Sequence, residues 1–187
     1  MYIVAGLGNP GKEYENTRHN AGFITIDKLA NKLNIDMNKN KFDAIIGEGR
    51  IGTEKIFLVK PQTYMNLSGN SIKQILDFYK LDSEDLIVIY DDIDIELGKI
   101  RIKKDGGPGT HNGMRNIVSM ISSENFKRVR VGTGKPKPGM SLADYVLMKF
   151  TKEEEELINK ATTNAADATL KIINVGIANA MNEFNGL

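Results

Sequence analysis

The sequence contains no cysteine and only two histidines, His19 and His111. Without cysteine the protein forms neither a disulfide nor a catalytic thiolate, and this composition fits a reducing compartment such as the cytoplasm. Proton transfer near neutral pH therefore falls to one of the two imidazoles, unless another side chain has a strongly shifted pKa. His19 and His111 are therefore the first candidates for a catalytic base.

Long apolar runs are also missing, since none approaches the roughly 20 residues that a membrane-spanning helix needs. The chain starts at Met1 directly in a strand-like run, with neither a basic leader segment nor a cleavage site. It shows no internal repeat and no low-complexity segment. We therefore expect residues 1–187 to form one cytoplasmic domain that has no membrane contact.

Net charge is nearly absent, at +1, but the charges are unevenly distributed. Residues 82–96 carry seven acids and no base, whereas residues 99–137 carry ten bases against Asp105 and Glu124. Such a basic tract is typical of a surface that faces phosphate groups, although a solvated strand face gives the same count. Charge alone leaves both interpretations open. The bases are Lys99, Arg101, Lys103, Lys104, Arg115, Lys127, Arg128, Arg130, Lys135 and Lys137.

Strand-like and helix-like segments alternate along the chain, which predicts an α/β fold. Helical spacing of apolar residues predicts helices that start near Asn20, near Ser68, near Gly113 and at Lys152, the last ending at about Asn174. The pairing expected within 42–60, and between 98–104 and 127–132, is antiparallel and predicts a mixed sheet. The predicted strands are 2–7, 42–49, 54–60, 86–90, 98–104 and 127–132.

The first strand leads into a glycine-rich turn in which Gly6, Gly8 and Gly11 match the G-x-G-x-x-G dinucleotide pattern. That pattern needs a helix to begin at the last glycine, so that its N-terminus faces the pyrophosphate. Residues 12–20 show no helical spacing of apolar residues, and the helix is predicted to begin only at Asn20. The dinucleotide interpretation therefore fails on its structural context.

His19 lies between this turn and the first predicted helix, at the rim of the sheet and open to a substrate. A lone histidine in this position would more often cap the helix. Asp91 follows the buried strand 86–90, at the kind of strand end where ligands collect in open α/β sheets. An acid there can orient an imidazole and stabilise its charged form. A divalent metal site and a solvated turn are the alternatives, and the wide separation of His19 and His111 in sequence gives the metal site no support.

Two further segments carry polar residues between a strand and a helix. Asn66 precedes the second helix, where spacing alone favours a capping role. The loop 106–113 is so rich in glycine that it is either a mobile lid or a tight backbone seat for a ligand. Within it, His111 either lines a cleft or holds the loop, and the second role is the one we expect.

Taken together, five sequence blocks resemble the signature blocks of the bacterial peptidyl-tRNA hydrolase family, in that family's order and spacing. The resemblance runs from residue 1 to about residue 185, and five blocks together are far more specific than any one. They are Gly6-Leu7-Gly8-Asn9-Pro10-Gly11 with Tyr14, Thr17-Arg18-His19-Asn20, Pro61-Gln62-Thr63-Tyr64-Met65-Asn66-Leu67-Ser68-Gly69, Asp91-Asp92-Ile93-Asp94 and Gly109-Thr110-His111-Asn112-Gly113.

The resemblance implies a monomeric, single-domain three-layer α/β/α sandwich with a twisted mixed β-sheet. It also implies an enzyme that hydrolyses the ester between a peptide and the 3′ ribose of tRNA, and thereby recycles tRNA from dropped peptidyl-tRNA. An ester has a fair leaving group, so that a base and oxyanion donors suffice and no metal or cofactor is expected.

The resemblance also assigns roles to individual residues. His19 would be the base that activates water, and Asp91 the acid that orients it. Asn9 would in addition distinguish peptidyl-tRNA from aminoacyl-tRNA, whose free amine is charged. The implied contacts with substrate are Asn9, Asn66 and Asn112 for the peptide carbonyls and the tRNA 3′ end, Tyr14 and Tyr64 for stacking, Met65 as a cleft wall, and Lys103 and Arg130 for the 5′-phosphate.

The sequence departs from the common family pattern at four positions, none of which is a proposed catalytic group. They leave open the mobility of the glycine-rich loop and the tuning of His19. Two other classes of protein remain as alternatives: a non-catalytic RNA-binding relative, which the retained His19 and Asp91 disfavour, and a nucleotide-binding enzyme, which the missing helix disfavours. The four departures are Tyr64, Tyr90, Pro108 and Thr110.

Overall fold

A computed structural model describes all 187 residues and contains one sheet of seven strands and six α-helices. No helix combines the length and the apolar composition that crossing a bilayer requires. The strands are β1 (Tyr2–Gly6), β2 (Lys39–Lys41), β3 (Ala44–Ile51), β4 (Glu54–Pro61), β5 (Leu86–Asp92), β6 (Ile100–Lys103) and β7 (Lys127–Gly132). The helices are α1 (Ala21–Leu33), α2 (Ser68–Tyr79), α3 (Asn112–Ile121), α4 (Leu142–Val146), α5 (Lys152–Val175) and α6 (Ile177–Phe184).

The sheet is mixed, as the sequence predicts. Its strand order is β2-β3-β4-β1-β5-β7-β6. Strand β1 pairs in parallel with both β4 and β5, and β5 pairs in parallel with β7. The outer pairs β2–β3, β3–β4 and β6–β7 are antiparallel. The carboxyl ends of four parallel strands therefore meet at one end of the sheet, where loops gather polar side chains.

Both faces of the sheet are covered, which confirms the three-layer α/β/α arrangement. Alternate residues of a strand point to opposite faces, and in β1 both Ile3 and Val4 are fully buried. Val4 belongs to an apolar cluster that includes residues of α1, α5 and α6. Ile3 belongs to a second cluster, formed with residues of α2 and α3. Central strands buried on both sides explain the continuous apolar runs in their sequences.

Some element boundaries differ from the prediction. Phe42 was expected in a strand, but it lies with Asp43 in the turn between β2 and β3, where both residues have positive φ angles of 57° and 54°. The sequence patterns do not predict strand β2 or the helices α4 and α6. The sequence of β2 is Lys-Asn-Lys with all three residues exposed, so it has no apolar alternation to detect.

The free edge of β6 is closed by one side chain from the end of the chain. Asn185 Oδ1 accepts a hydrogen bond from the Ile102 backbone N–H at 2.7 Å, and Asn185 Nδ2 donates to the Ile102 carbonyl at 3.0 Å. The amide thus satisfies both main-chain groups of Ile102. Strand β6 carries Lys103 at its end, with β7 paired along one edge and Asn185 bound at the other.

Candidate active site

The proposed base lies where α1 meets the carboxyl ends of β1 and β5. His19 sits in a short 3₁₀ helix, Arg18–Asn20, directly before α1. A β-carbon at Gly22 would lie 2.4 Å from the backbone of both Leu7 and Ile89. Only glycine therefore allows α1 to start so close to the two strands. This close approach brings His19 to Asp91, the next-to-last residue of β5.

His19 and Asp91 are in direct contact, as the sequence analysis expects. His19 Nδ1 lies 2.8 Å from Asp91 Oδ2. The carboxylate is 2% exposed, whereas the imidazole is 14% exposed and faces a cleft. A buried carboxylate that accepts Nδ1–H fixes the tautomer and leaves the lone pair on Nε2. The pair therefore has the geometry of an oriented general base.

His111 contacts the same carboxylate, which the sequence analysis did not anticipate. His111 Nε2 lies 2.8 Å from Asp91 Oδ1, and His111 Nδ1 accepts the Met114 backbone N–H at 3.2 Å. Because Nδ1 is an acceptor, the ring proton is on Nε2 and points to Asp91. His111 thus caps α3 and also belongs to the site. No local motif signals the second role, since 20 residues separate His111 from Asp91.

Burial and charge act in opposite directions on the pKa values of this cluster. Burial lowers the pKa of His19, but the negative charge of Asp91 and the hydrogen bond to it raise that pKa to a net value above the ordinary 6.5. Burial also raises the pKa of Asp91. The two facing imidazoles outweigh it and hold the pKa of that carboxyl well below its usual range. Asp91 is accordingly a carboxylate, and it favours the imidazolium form of His19.

The same three residues form the only group of three or more histidine or acidic side chains close enough to share one metal ion. One donor atom from each of His19, Asp91 and His111 lies within 4.8 Å of the others. His19 and His111 are therefore close together in space although they are far apart in sequence, so their sequence separation does not argue against a metal site. Both imidazoles, however, already face Asp91 at hydrogen-bond distance, and a metal would have to displace both N–H groups. The arrangement is satisfied by its own hydrogen bonds.

Asn9 is held rigidly by its neighbour Asn20. The Asn9 backbone N–H donates to Asn20 Oδ1 at 2.8 Å, and Asn20 Nδ2 donates to the Asn9 carbonyl at 3.0 Å. Asn20 occupies the N-cap position of α1, but its side chain does not cap the helix; it fixes the turn after β1 instead. The Asn9 side chain in turn accepts the Met65 backbone N–H on Oδ1 at 2.7 Å. Its Nδ2 group remains available to a ligand.

Met65 connects the Asn9 side of the site to the histidines. It is 3% exposed, so it packs as a wall and presents little open surface. A β-carbon at Gly113 would lie 2.6 Å from Met65 Sδ and 3.1 Å from His111 Cε1. These three residues are therefore packed against one another, and a larger residue at position 113 would force them apart.

Asn66, Tyr14 and Tyr64 lie on the exposed side of the same region. Asn66 makes no side-chain hydrogen bond, and the residue at the N-cap of α2 is Leu67. The capping interpretation of Asn66 is therefore wrong, and its amide is free to contact a ligand. Tyr64 is 56% exposed and has a φ of 61°. Its ring meets that of Tyr14 edge to face, with centroids 6.4 Å apart.

A cleft of about 420 Å³ opens on the other side of the histidines. Its apolar wall comes from α4, with Leu142 and Val146. Arg130 donates Nε–H to Asp92 Oδ2 at 2.8 Å, which leaves its two terminal nitrogens unpaired. The cleft therefore joins the candidate base to cationic groups. The proposed site residues in its lining are His19, Asp91, Asn112, Lys103 and Arg130.

Not all of the basic tract faces solvent. Arg128 is 1% exposed, so the phosphate-facing interpretation is wrong for this residue. Its side chain binds backbone carbonyls, including that of Gly107 in the glycine-rich loop. The loop is thus attached to the body of the protein, which favours a fixed backbone that binds a ligand over a freely moving lid.

The fold and the site define an α/β protein whose polar centre lies beyond the carboxyl ends of a mixed sheet. The profile of the family described as "Peptidyl-tRNA hydrolase" matches residues 3–187. A peptidyl-tRNA hydrolase of Thermoanaerobacter sp. (strain X514) is 53% identical over 186 residues and is covered over its full length, as is this chain. One of Clostridium novyi is 52% identical, with 100% of this chain and 98% of the relative covered.

Solved structures agree with the sequence comparison. The crystal structure of peptidyl-tRNA hydrolase from Acinetobacter baumannii superposes with a TM-score of 0.92 at 38% identity, covering 98% of this chain and 93% of that one. The chain therefore belongs to the peptidyl-tRNA hydrolase family, and it is an enzyme of that type.

Proposed function

We propose that this enzyme hydrolyses the ester between a peptide and the 3′ ribose of tRNA, with His19 as the general base and Asp91 as its orienting acid. The observation that carries the proposal is the 2.8 Å contact between His19 Nδ1 and Asp91 Oδ2. The enzyme acts as one cytoplasmic domain, residues 1–187, and as a monomer. It needs no metal or cofactor for the chemical step.

The reaction proceeds by direct attack of water. His19 Nε2 makes no hydrogen bond within the protein, so it can accept one proton of a water molecule in the cleft. The hydroxide equivalent adds to the ester carbonyl carbon, and the carbon–ribose oxygen bond then breaks. The imidazolium returns its proton to the departing ribose oxygen. Asp91 stabilises the imidazolium during this cycle and does not itself take the proton.

The side-chain amides bind the acyl group without adding charge. Nδ2 of Asn9 is an N–H donor whose partner oxygen is already used by Met65, so it offers a hydrogen bond to a carbonyl and no acceptor to an ammonium. This arrangement favours a peptidyl group over a free aminoacyl group. Asn66 and Asn112, which directly follow Met65 and His111 in the chain, are exposed, and they supply further donors to carbonyls and to the tRNA 3′ end.

The nucleic acid is bound on two sides of the catalytic pair. Tyr14 and Tyr64 give the terminal adenosine a surface on which to stack. Lys103 and Arg130 bind the 5′-phosphate, where the two unpaired nitrogens of Arg130 supply a fork and Lys103 a point charge. No observation favours a non-catalytic RNA-binding protein, since the base and its carboxylate are in hydrogen-bond contact.

The release of free tRNA from N-acetylated aminoacyl-tRNA tests this proposal. We expect His19→Ala to lower turnover by at least about 100-fold, the usual scale for a general base, while tRNA binding and the melting temperature stay near those of the unmodified protein. Exposed Lys160 supplies a control, Lys160→Ala, which should keep full activity. A chelator should not change the rate with a short 3′-terminal substrate. Turnover by His19→Ala within about tenfold of the unmodified rate would place the base elsewhere.

A further inference from the structure

Arg128 is a buried cation with no carboxylate within ion-pair distance. Its side chain is among the largest fully buried ones of the molecule. The guanidinium donates to three backbone carbonyls instead, from Nε to Phe126 at 3.2 Å, from Nη1 to Gly107 at 3.1 Å and from Nη2 to Glu124 at 2.9 Å. It also lies 4.2 Å from the centre of the Phe126 ring. Burying a charge is costly unless it is fully hydrogen-bonded, and the three carbonyls supply these hydrogen bonds to Arg128.

One of the three acceptors belongs to the glycine-rich loop. Besides the bond from Arg128 to the Gly107 carbonyl, the Gly106 N–H donates to the Glu124 carbonyl at 3.4 Å. Two successive loop residues are thus tied to residues 124–128. At the far end the loop is tied to Asp91 through His111. Between these two attachments Gly109 and Thr110 are exposed, and Arg115 Nε–H donates to the Gly109 carbonyl at 3.1 Å.

We infer that Arg128 is a positioning residue that holds residues 106–111 of the glycine-rich loop, so that His111 meets Asp91 and Asn112 faces the cleft. This inference rests on the proposed function, because it acts through residues of that site. Arg128 and Arg130 share one face of β7 with a spacing of two residues. Arg130 lines the cleft, whereas Arg128 turns inward and binds the Gly107 carbonyl of the loop behind it.

The chemistry of the three acceptors requires arginine. The carbonyls of Gly107, Glu124 and Phe126 each bind a different nitrogen of the planar guanidinium. A lysine ammonium keeps the charge but carries its donors on one nitrogen. Arg128→Lys should therefore hold the loop partially, and Arg128→Met, which removes every donor at a similar length, should release it.

Hydrogen exchange and kinetics test the inference together. In Arg128→Met we expect backbone amides of residues 106–112 to exchange at least about tenfold faster, with β1 and β5 unchanged. KM for N-acetylaminoacyl-tRNA should rise several-fold through Asn112. The acid limb of kcat/KM should move to higher pH, since Asp91 loses the N–H of His111. Arg128→Lys should be intermediate. Arg50→Met is the control, since Arg50 also binds one backbone carbonyl, that of Thr53, at a distant turn.

The outcomes separate a positioning role from general stabilisation. A merely structural role would lower the melting temperature and the folded fraction but leave loop exchange, KM and the pH limb of the folded enzyme unchanged, and that result would overturn the inference. If Arg128→Met does not fold, the same measurements on Arg128→Lys and on the unmodified protein test the inference. Slow solvent exchange of the Arg128 Nη1 protons, which bind the Gly107 carbonyl, supports the anchor when observed by NMR, and exchange at the rate of a free arginine overturns it. The exchange measurements do not depend on hydrolysis, so they remain valid if the proposed function fails.

Discussion

His111 Nε2 lies 2.8 Å from Asp91 Oδ1, on the carboxylate oxygen that His19 does not use. One buried carboxylate therefore serves two imidazoles with different duties. The Met114 N–H donates to Nδ1 of His111, so both ring nitrogens of His111 are already engaged in hydrogen bonds. His19 Nε2 carries no such constraint. In the proposed mechanism the proton taken from water therefore goes to His19.

The activity of the enzyme should depend on pH through His19. Only the neutral imidazole accepts a proton, and the pKa of His19 is raised above 6.5. As pH falls through this pKa, kcat/KM should fall. Asp91→Asn removes the charge that stabilises the imidazolium, while burial still lowers the pKa of His19. The acid limb of the kcat/KM profile should therefore move to lower pH. The plateau should drop by about 100-fold or more because the ring loses its orientation.

Profiles of kcat/KM between about pH 5 and 9 would measure both effects. Asp36→Asn, at an exposed position, removes one carboxylate far from any proposed role and should reproduce the unmodified curve. A limb that stays in place in Asp91→Asn would mean that another group controls it.

Two substitutions of His111 should separate its two contacts. His111→Ala removes both the cap of α3 and the N–H donor to Asp91, and a lost cap costs about 1 kcal/mol. His111→Asn keeps a good capping residue but cannot reach the carboxylate. We expect thermal unfolding to show a loss in the alanine variant that asparagine largely restores.

The pH profile should respond differently from the stability. Both His111 variants leave Asp91 with one donor fewer, so its charge acts more strongly on His19 and raises that pKa further. The acid limb should shift to higher pH in both, opposite to its shift in Asp91→Asn. Equal recovery of stability and pH limb in His111→Asn would show that capping is the whole role of His111.

Asn9→Asp should change which acyl group is accepted. The carboxylate keeps an acceptor for the Met65 N–H, but it replaces the free N–H₂ donor by a second acceptor. A peptide carbonyl is then repelled, and a free α-ammonium is attracted. We expect slower release of tRNA from N-acetylaminoacyl-tRNA and a higher relative rate with unblocked aminoacyl-tRNA, by about tenfold in the ratio for one charged contact.

Parallel assays of the two substrates would give this ratio directly. Asn38→Asp places the same new charge at an exposed site and should leave it unchanged. If Asn9→Asp slows both substrates alike, Asn9 binds without discriminating.

Lys103→Ala and Arg130→Ala should weaken the binding of full-length tRNA. Each removes about one phosphate contact, so the slope of log affinity against log salt should flatten by about one unit. Turnover of a short 3′-terminal substrate without the 5′-phosphate should stay nearly intact. Lys160→Ala removes a charge from α5 and should leave the slope as it is. Equal losses on long and short substrates would contradict the phosphate assignment.

Much of this fold follows from sequence because its central strands and long helices have strong periodic patterns. The run 86–90 predicts a strand buried on both faces, and Leu86–Asp92 is that strand. The helix predicted from Lys152 to about Asn174 spans Lys152–Val175 and ends at Gly176. Strand β2 is not predictable from sequence because its residues show no apolar alternation, and only its pairing with β3 makes it a strand.

The candidate site was predictable where local motifs point to it and not where tertiary contacts decide. His19 and Asp91 stand at ends of elements, and the structure brings them together. The contact of His111 with Asp91 depends on the path of an irregular loop. The inward turn of Arg128 depends on three carbonyls that its own strand does not supply. Charge counting could not distinguish Arg128 from Arg130, because both occur in the same alternating pattern.

Asn185 provides the edge strand β6 with a hydrogen-bonding partner on its open side. The amide occupies the main-chain groups of Ile102 that could otherwise recruit a strand from another molecule, and so it guards against edge-to-edge aggregation. A carboxylate at position 185 would face the Ile102 carbonyl with a second acceptor and lose one of the two bonds. Integrity of this one amide therefore protects both the solubility of the enzyme and the alignment of the strand that ends in Lys103.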